Sequence, residues 1–362
     1  MNTSASYPRI LLTGATGFIG GTILTHLLSQ SSLAHLTFTC LVRGADRVTK
    51  LTAHYGDRVK PVLHEGLDDL EAIESIAAQH DIVINAGLGY HPASAQALVR
   101  GLGHRKAANP ERDVWMIHTS GTSNLADRPI TGGGSDDSSQ GELREFDDAT
   151  VDIYGYEKRL EEAAPYAQRT TELGVVDAGM ALGVKTLVIM SGLIYGRGTG
   201  LFNRISIQIP VFVRAALAAG RAVVVGRGAG EWDHVHVEDL AELYRVVLAE
   251  VLQDGGAKLP TGKEGIIFSG NGRHTWHEVA QGIADACYAV GRVQDKTVKS
   301  VELDEAARFF DMGIDDPNII ELGLCSNSRT VSTVARGLGW KPVRAQEAWM
   351  QGFQGDVDAV VG

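Results

Sequence analysis

The sequence predicts an α/β protein: a doubly wound parallel sheet followed by a smaller mixed α/β C-terminal lobe. Short apolar runs rich in β-branched residues recur at 9–13, 36–42, 59–63, 81–85, 114–119 and 185–190, each separated from the next by a stretch of helical period. The runs are apolar throughout, as strands covered on both faces must be, and right-handed crossovers then set helices on each side. Between residues 127 and 150 the rhythm lapses into Gly132-Gly133-Gly134-Ser135-Asp136-Asp137-Ser138-Ser139, which predicts a mobile loop. Beyond Tyr195 it loosens, with a glycine-rich turn at 196–200, a helix near 210–219, a strand at 222–225 and a strand-helix unit at 235–252. Residues 1–195 form the main domain, with 235–255 returning to it. Residues 196–234 and 256–362 form a lobe that closes over the carboxyl edge of the sheet, where such folds bind ligands.

Composition narrows the function. The 362 residues are 44% hydrophobic and 21% charged, which excludes a disordered or fibrous chain. Glycine, at 43 positions, is about 12% against an average near 7%, and without a three-residue period it points to tight turns rather than collagen. A net charge of −11 argues against nucleic acid and anionic membranes as partners. Cys40, Cys287 and Cys325 are too scattered for a disulfide framework or a paired zinc site. The first eight residues lack a basic and apolar leader, and the weakly polar stretch 180–195 contains Lys185 and falls short of the ~20 residues that span a bilayer. A cytoplasmic location is expected.

The first strand runs into Thr13-Gly14-Ala15-Thr16-Gly17-Phe18-Ile19-Gly20 and then a helical pattern. A glycine loop in this place turns sharply at Gly14, brings the backbone around Thr16–Ile19 against a pyrophosphate, and packs the helix closely at Gly20. The helix N-terminus offers unpaired N–H groups to the phosphates, so a Rossmann-type dinucleotide site is expected. The tip of the second strand reads Cys40-Leu41-Val42-Arg43-Gly44, with no carboxylate for a ribose 2′-hydroxyl. Arg43, with Arg47 as a second contact, favours the 2′-phosphate of NADP(H) over NAD(H).

Tyr154 and Lys158 are four apart and so share one helix face. A free phenol titrates near ~10, and a neighbouring ammonium lowers that value toward one useful for proton exchange. A lone pair of this spacing is more often a surface helix contact. Here the strand 114–119 also ends in Ser120-Gly121-Thr122, and the Ser120 hydroxyl is the candidate to polarise a carbonyl oxygen.

Taken together, these motifs resemble the extended short-chain dehydrogenase/reductase family, which includes epimerases, dehydratases and dihydroflavonol reductases. Asp81-Ile82-Val83-Ile84-Asn85-Ala86-Gly87, Val235-His236-Val237-Glu238-Asp239-Leu240-Ala241 and Leu338-Gly339-Trp340-Lys341-Pro342 resemble its later segments, so the likeness spans essentially the whole chain. The resemblance implies an NAD(P)-dependent oxidoreductase in which Tyr154 exchanges the proton, Lys158 lowers its pKa and holds the nicotinamide ribose, and Ser120 bonds the substrate oxygen. Asn85, Ala86 and Gly87 would line the dinucleotide. It also suggests a homodimer paired through the Tyr154 helix. The family's usual Gly-Asp after the third strand is here Glu65-Gly66-Leu67-Asp68, which leaves the adenine contact open.

Two departures bear on substrate. Where sugar-nucleotide enzymes of this family grip a diphosphate with asparagine and arginine, this chain has Leu193 and Trp232. Neither pairs with phosphate, which points to a small hydrophobic carbonyl or alcohol. Tyr90, His91, Thr122 and Phe202 are further candidates for pocket walls, although Leu193, Phe202 and Trp232 are equally suited to ordinary packing. His234 and His236, and His274 and His277, lack a third ligand and read as structural, so no metal is expected. The sequence thus favours an NADPH-dependent carbonyl reductase or alcohol dehydrogenase. The alternatives are an epimerase or dehydratase that retains its NAD(P), and a non-enzymatic NADP-binding sensor.

Overall fold

In the computed structural model, which describes residues 7–132, 144–313 and 318–362, the strand rhythm becomes β1 (Ile10–Thr13), β2 (Phe38–Val42), β3 (Val59–Leu63), β4 (Ile82–Asn85), β5 (Trp115–Gly121), the short β6 (Glu145–Asp147) and β7 (Lys185–Ser191). Between them run α1 (Phe18–Ser29), α2 (Ala45–Tyr55), α3 (Leu70–Ala77), α4 (Pro92–Ala108), α5 (Ile153–Ala163) and α6 (Ala167–Leu182). The remaining chain forms β8 (Leu193–Tyr195), α7 (Gln208–Ala219), β9 (Val223–Val225), β10 (Glu231–His236), α8 (Val237–Asp254), β11 (Ile266–Phe268), β12 (Arg273–Thr275) and α9 (Trp276–Ala289). It ends with β13 (Lys299–Val301), α10 (Leu303–Ala306), α11 (Ile319–Leu324), β14 (Arg329–Val331), α12 (Thr333–Gly337) and α13 (Gln346–Val361). The predicted loop at 132–139 lies, from residue 133 on, outside the described residues.

The central sheet is parallel, in the order β11-β7-β5-β4-β1-β2-β3. Its order reverses between β1 and β4, whose last residues Thr13 and Asn85 stand level, so the crevice above their carboxyl ends is the ligand-binding position of a doubly wound sheet. Alternation along β1 builds both layers: Ile10 and Leu12 pack with Ile23, Leu27 and Leu243, while Leu11 packs with Ile73, Leu98 and Val175. Helix α8 lies against α1 in the first of these layers. Residues 266–268 are an edge strand of the main sheet, although the sequence reading placed them in the lobe. Their apolar run of three is too short to read as a strand without its partner β7.

The lobe has its own core, in which Trp232, Trp276 and Trp349 pack with Phe212 and Phe353. A small sheet in the order β12-β10-β8 joins this core to the main domain, since β8 follows β7 after one glycine.

Candidate active site

The glycine loop sits at the switch point. Gly14 has φ +74, and a Cβ there would fall 2.1 Å from the Ala86 carbonyl oxygen, so the backbones of the loop and of the β4 extension touch directly. A Cβ on Gly20 would meet the Gly14 oxygen at 2.3 Å. Helix α1 is N-capped by Gly17 with no side-chain cap and no acidic residue in its first turn. The amides of Phe18, Ile19 and Gly20 therefore keep the donors and partial positive charge that a pyrophosphate requires, and the cradle fits a dinucleotide.

Around this cradle the side chains hold the backbone. Thr13 Oγ1 donates to Asn85 Oδ1 (2.6 Å), and Asn85 Nδ2 lies 3.0 Å from His118 Nδ1. The Asn85 side chain thus ties β1, β4 and β5 together, and Ala86 and Gly87 present backbone toward the crevice. At the tip of β2, Arg43 is exposed, and Arg47 Nη1 reaches Thr16 Oγ1 at 3.4 Å. Asp46, the acidic residue nearest by sequence, faces Lys50 at 3.7 Å. His91 caps α4, accepting from the Ser94 amide and meeting Asp68 Oδ1 at 3.2 Å, which makes it part of the loop framework.

Helices α5 and α6 form an antiparallel hairpin, and its register decides where the predicted tyrosine falls. Glu161 meets Tyr166 and Arg169 at one end; Tyr154 and Lys158 meet Asp177 at the other. Asp177 is eleven residues along from Tyr166, about 16 Å at the helical rise. Because α6 runs from the carboxyl edge of β5 down to the start of β7, Tyr154 lies toward the amino end of the sheet, away from the crevice. Its phenol donates to Asp177 Oδ1 at 2.5 Å, and Lys158 Nζ donates to Asp177 Oδ2 at 3.0 Å. Burial and the Asp177 carboxylate hold the phenol above its usual value, opposite to what proton exchange requires. In this structure the buried Tyr154 and the half-exposed Lys158 are joined through Asp177 on the α5–α6 hairpin, and not to the hydroxyl groups at the carboxyl edge.

Ser120 is also drawn inward. Its hydroxyl accepts from Asn124 Nδ2 at 3.3 Å and bonds Glu172, within a fully buried group that includes Glu157. Burial pushes both carboxyl groups up, and the neighbouring Glu172 raises Glu157 further.

Another tyrosine occupies the carboxyl edge. Tyr166, the N-cap residue of α6, is 1% exposed. Its hydroxyl donates to Ser123 Oγ (3.1 Å) and lies 3.0 Å from Tyr90 Oη, while Ser123 donates to Gln168 Oε1 at 2.6 Å. The segment from Ala86 to Tyr90 links Gly14 to this hydroxyl chain, and a Cβ on Gly121, the last residue of β5, would touch Gln168. Of the predicted pocket residues, Tyr90 joins this cluster, and Thr122, fully buried, accepts from Ser328 Oγ through its carbonyl. Leu193 and Trp232 are covered in the lobe core that also contains Tyr166, with Trp232 Nε1 donating to Ser326 Oγ at 3.1 Å. Phe202 packs on the α1 side.

Sequence reasoning missed Tyr166 and Ser123. The available signal was Pro165, which ends the helix bearing Tyr154 and leaves Tyr166 at the head of the helix that enters β7. His234 and His274 face each other at 3.1 Å between their Nδ1 atoms, buried under Trp349, and among the described residues no group of three metal ligands occurs.

A glycine loop at the switch point of a seven-stranded doubly wound sheet defines a dinucleotide-binding enzyme fold. Residues 146–258 match the profile of the NAD dependent epimerase/dehydratase family, and residues 12–90 match that of the Male sterility protein family. Oxidase ucsJ of an Acremonium species is 32% identical over 344 residues, covering 92% of this chain and 93% of that protein. The chain belongs to the NAD-dependent epimerase/dehydratase family, within the extended short-chain dehydrogenases/reductases, and is an enzyme of that class. The same fold appears in the dTDP-glucose 4,6-dehydratase DesIV of Streptomyces venezuelae, solved with NAD (16% identity, TM-score 0.63, 97% of this chain and 96% of that one). UDP-glucuronic acid 4-epimerase of Bacillus cereus in complex with NAD shares it too (13%, TM-score 0.60, 97% and 96%). No helix among the described residues is long and apolar enough to cross a membrane.

Proposed function

We propose that the protein is an NADP(H)-dependent oxidoreductase that interconverts an alcohol and a carbonyl group on a small hydrophobic compound, with Tyr166 as the proton-exchanging hydroxyl. The observation that carries this reading is the hydroxyl chain Tyr90–Tyr166–Ser123 at the carboxyl edge, joined to the glycine loop by residues 86–90. Gly14, Thr16, Gly17, Phe18, Ile19 and Gly20 would hold the pyrophosphate, with Ala86 and Gly87 beside it and Arg43 and Arg47 placed for a 2′-phosphate. The bound dinucleotide supplies or accepts the hydride. Tyr166 passes the proton to the substrate oxygen, and Ser123 bonds that oxygen or the phenol in turn.

An apolar substrate is supported by Leu193 and Trp232, which lie buried in the lobe core at the two positions where a diphosphate would otherwise find an asparagine and an arginine. The name oxidase carried by the Acremonium relative agrees with alcohol oxidation as one direction of the same exchange. NADPH and NADH oxidation against a panel of aromatic and aliphatic carbonyl compounds tests the reading. Stoichiometric turnover with NADPH supports it; cofactor that copurifies and never turns over would instead mark an epimerase or dehydratase. Arg43→Ala removes one charge-assisted contact worth roughly 1.5–3 kcal/mol, so it should weaken NADP⁺ binding by about ten- to a hundredfold and leave NAD⁺ binding unchanged.

A further inference from the structure

The position four residues after Tyr166, where the family places its lysine, holds Thr170. That hydroxyl donates to Glu161 and to the Tyr166 carbonyl, and it brings no charge. One residue earlier stands Arg169, 4% exposed, with its guanidinium carbon 5.8 Å from the centroid of the Tyr166 ring. Its three nitrogens are fixed: Nε donates to Glu161 Oε2 (3.1 Å), Nη1 to the Asn124 carbonyl (2.9 Å) and Nη2 to the Ala164 carbonyl (2.6 Å). Glu161 in turn accepts from the Tyr166 amide at 3.1 Å.

We propose that Arg169, clamped by Glu161, is the positioning residue that replaces the lysine and sets the proton affinity of the Tyr166 phenol. This rests on the reading of Tyr166 as the proton-exchanging group. A buried cation some 6 Å from the ring favours the phenolate, and the Glu161 carboxylate beside it partly opposes that effect. Among the described residues, the phenol also faces Tyr90, from the segment after β4, and the Glu157–Glu172 pair lies behind Arg169. Burial raises both carboxyl groups of that pair, which lessens the negative charge it sets against Arg169. Arginine cannot lose its proton at a working pH, so Tyr166 ionises without the activator titrating alongside it, as a lysine would. With its nitrogens held inside the hairpin, Arg169 acts on the phenol and leaves the nicotinamide ribose to other groups.

The test is a ¹³Cζ-tyrosine NMR titration of the full chain, with the Tyr166 signal assigned by its loss in Tyr166→Phe. Arg169→Gln should raise the Tyr166 midpoint by about one unit or more, and Glu161→Gln should lower it by a similar amount. Arg169→Lys, which keeps the charge, should stay within a few tenths of a unit of wild type. A lesion that merely loosened the hairpin would move Arg169→Gln and Glu161→Gln in the same direction. Same-direction shifts, or no shift in either, overturn the proposal. The functional reading fails separately, if Tyr166→Phe retains full NADPH-dependent carbonyl reduction whatever the NMR shifts.

Discussion

Two tyrosines compete for one role, and phenylalanine at each separates them. Tyr166→Phe removes a hydroxyl bonded to Ser123 and facing Tyr90; Ser123 keeps its bond to Gln168, so the stability cost is about 1–2 kcal/mol at roughly 1 kcal/mol per net hydrogen bond. Its effect on turnover is larger, because a positioned acid–base group contributes on the order of 10²–10⁴-fold. Tyr154→Phe removes a bond to Asp177, which keeps Lys158 at 3.0 Å, so stability should fall by about 1 kcal/mol or less. Its turnover should remain within about twofold of wild type, since Asp177 marks a point about 16 Å down the helix from Tyr166. NADPH oxidation with the carbonyl panel, run beside urea unfolding, measures both quantities. Loss of activity in Tyr154→Phe with retention in Tyr166→Phe would refute the placement of the reacting centre on α6.

Gly14→Ala should abolish dinucleotide binding and lower stability by more than ~1–2 kcal/mol, because its methyl would fall 2.1 Å from the Ala86 oxygen at φ +74; calorimetric titration with NADP⁺ and urea unfolding check this. Asp356 is 5% exposed, its Oδ2 has no partner among the described residues, and burial pushes it up to about 7. The folded state therefore binds the proton more tightly than the unfolded one, and stability falls as pH rises from ~4 to ~7. Asp356→Asn should recover at most about 4 kcal/mol at pH 8 and clearly less at pH 5, read from urea midpoints. Burial lowers His118 and His234 to about 4 and holds His274 well below its usual value, so the unfolded chain takes protons first as pH falls below ~6.5. Stability should be whole above that value and drop toward pH 4, by on the order of 3 kcal/mol for His118 alone, giving a steep acid limb in urea midpoints.

The sheet was legible because its strands are apolar on both faces, and the glycine loop because backbone contact at Gly14 tolerates no side chain. Helix α8 was legible too, since 235–252 repeats the strand-to-helix pattern. Strand β11 was not: three apolar residues acquire a direction only by pairing with β7. Nor was the burial of Ser120, because a hydroxyl at a strand end reads the same whether it faces a crevice or a buried carboxyl pair.

The place of Tyr154 in the fold has a more general cause. A Tyr-x-x-x-Lys spacing specifies one helix face and says nothing about which helix carries it. What places a tyrosine at the carboxyl edge is its distance from the next strand. The sixteen residues of α6 span about 24 Å, enough to descend the sheet from its carboxyl edge to the start of β7, and Tyr166 stands at their head. Tyr154 belongs to a different helix, because Pro165 forces Ala164 out of the helical region, at φ −152 and ψ 93. With the chain broken there, α5 can only fold back along α6. Its tyrosine is then carried to the far end, while its last turn delivers Glu161 to Tyr166 and Arg169. The proline that displaces one tyrosine–lysine pair thus also builds the carboxylate clamp around the other tyrosine. Filling the break, by Pro165→Ala, should loosen the hairpin at both ends, Glu161 from the Tyr166 amide and Tyr154 from Asp177, and NADPH-dependent turnover should fall with it.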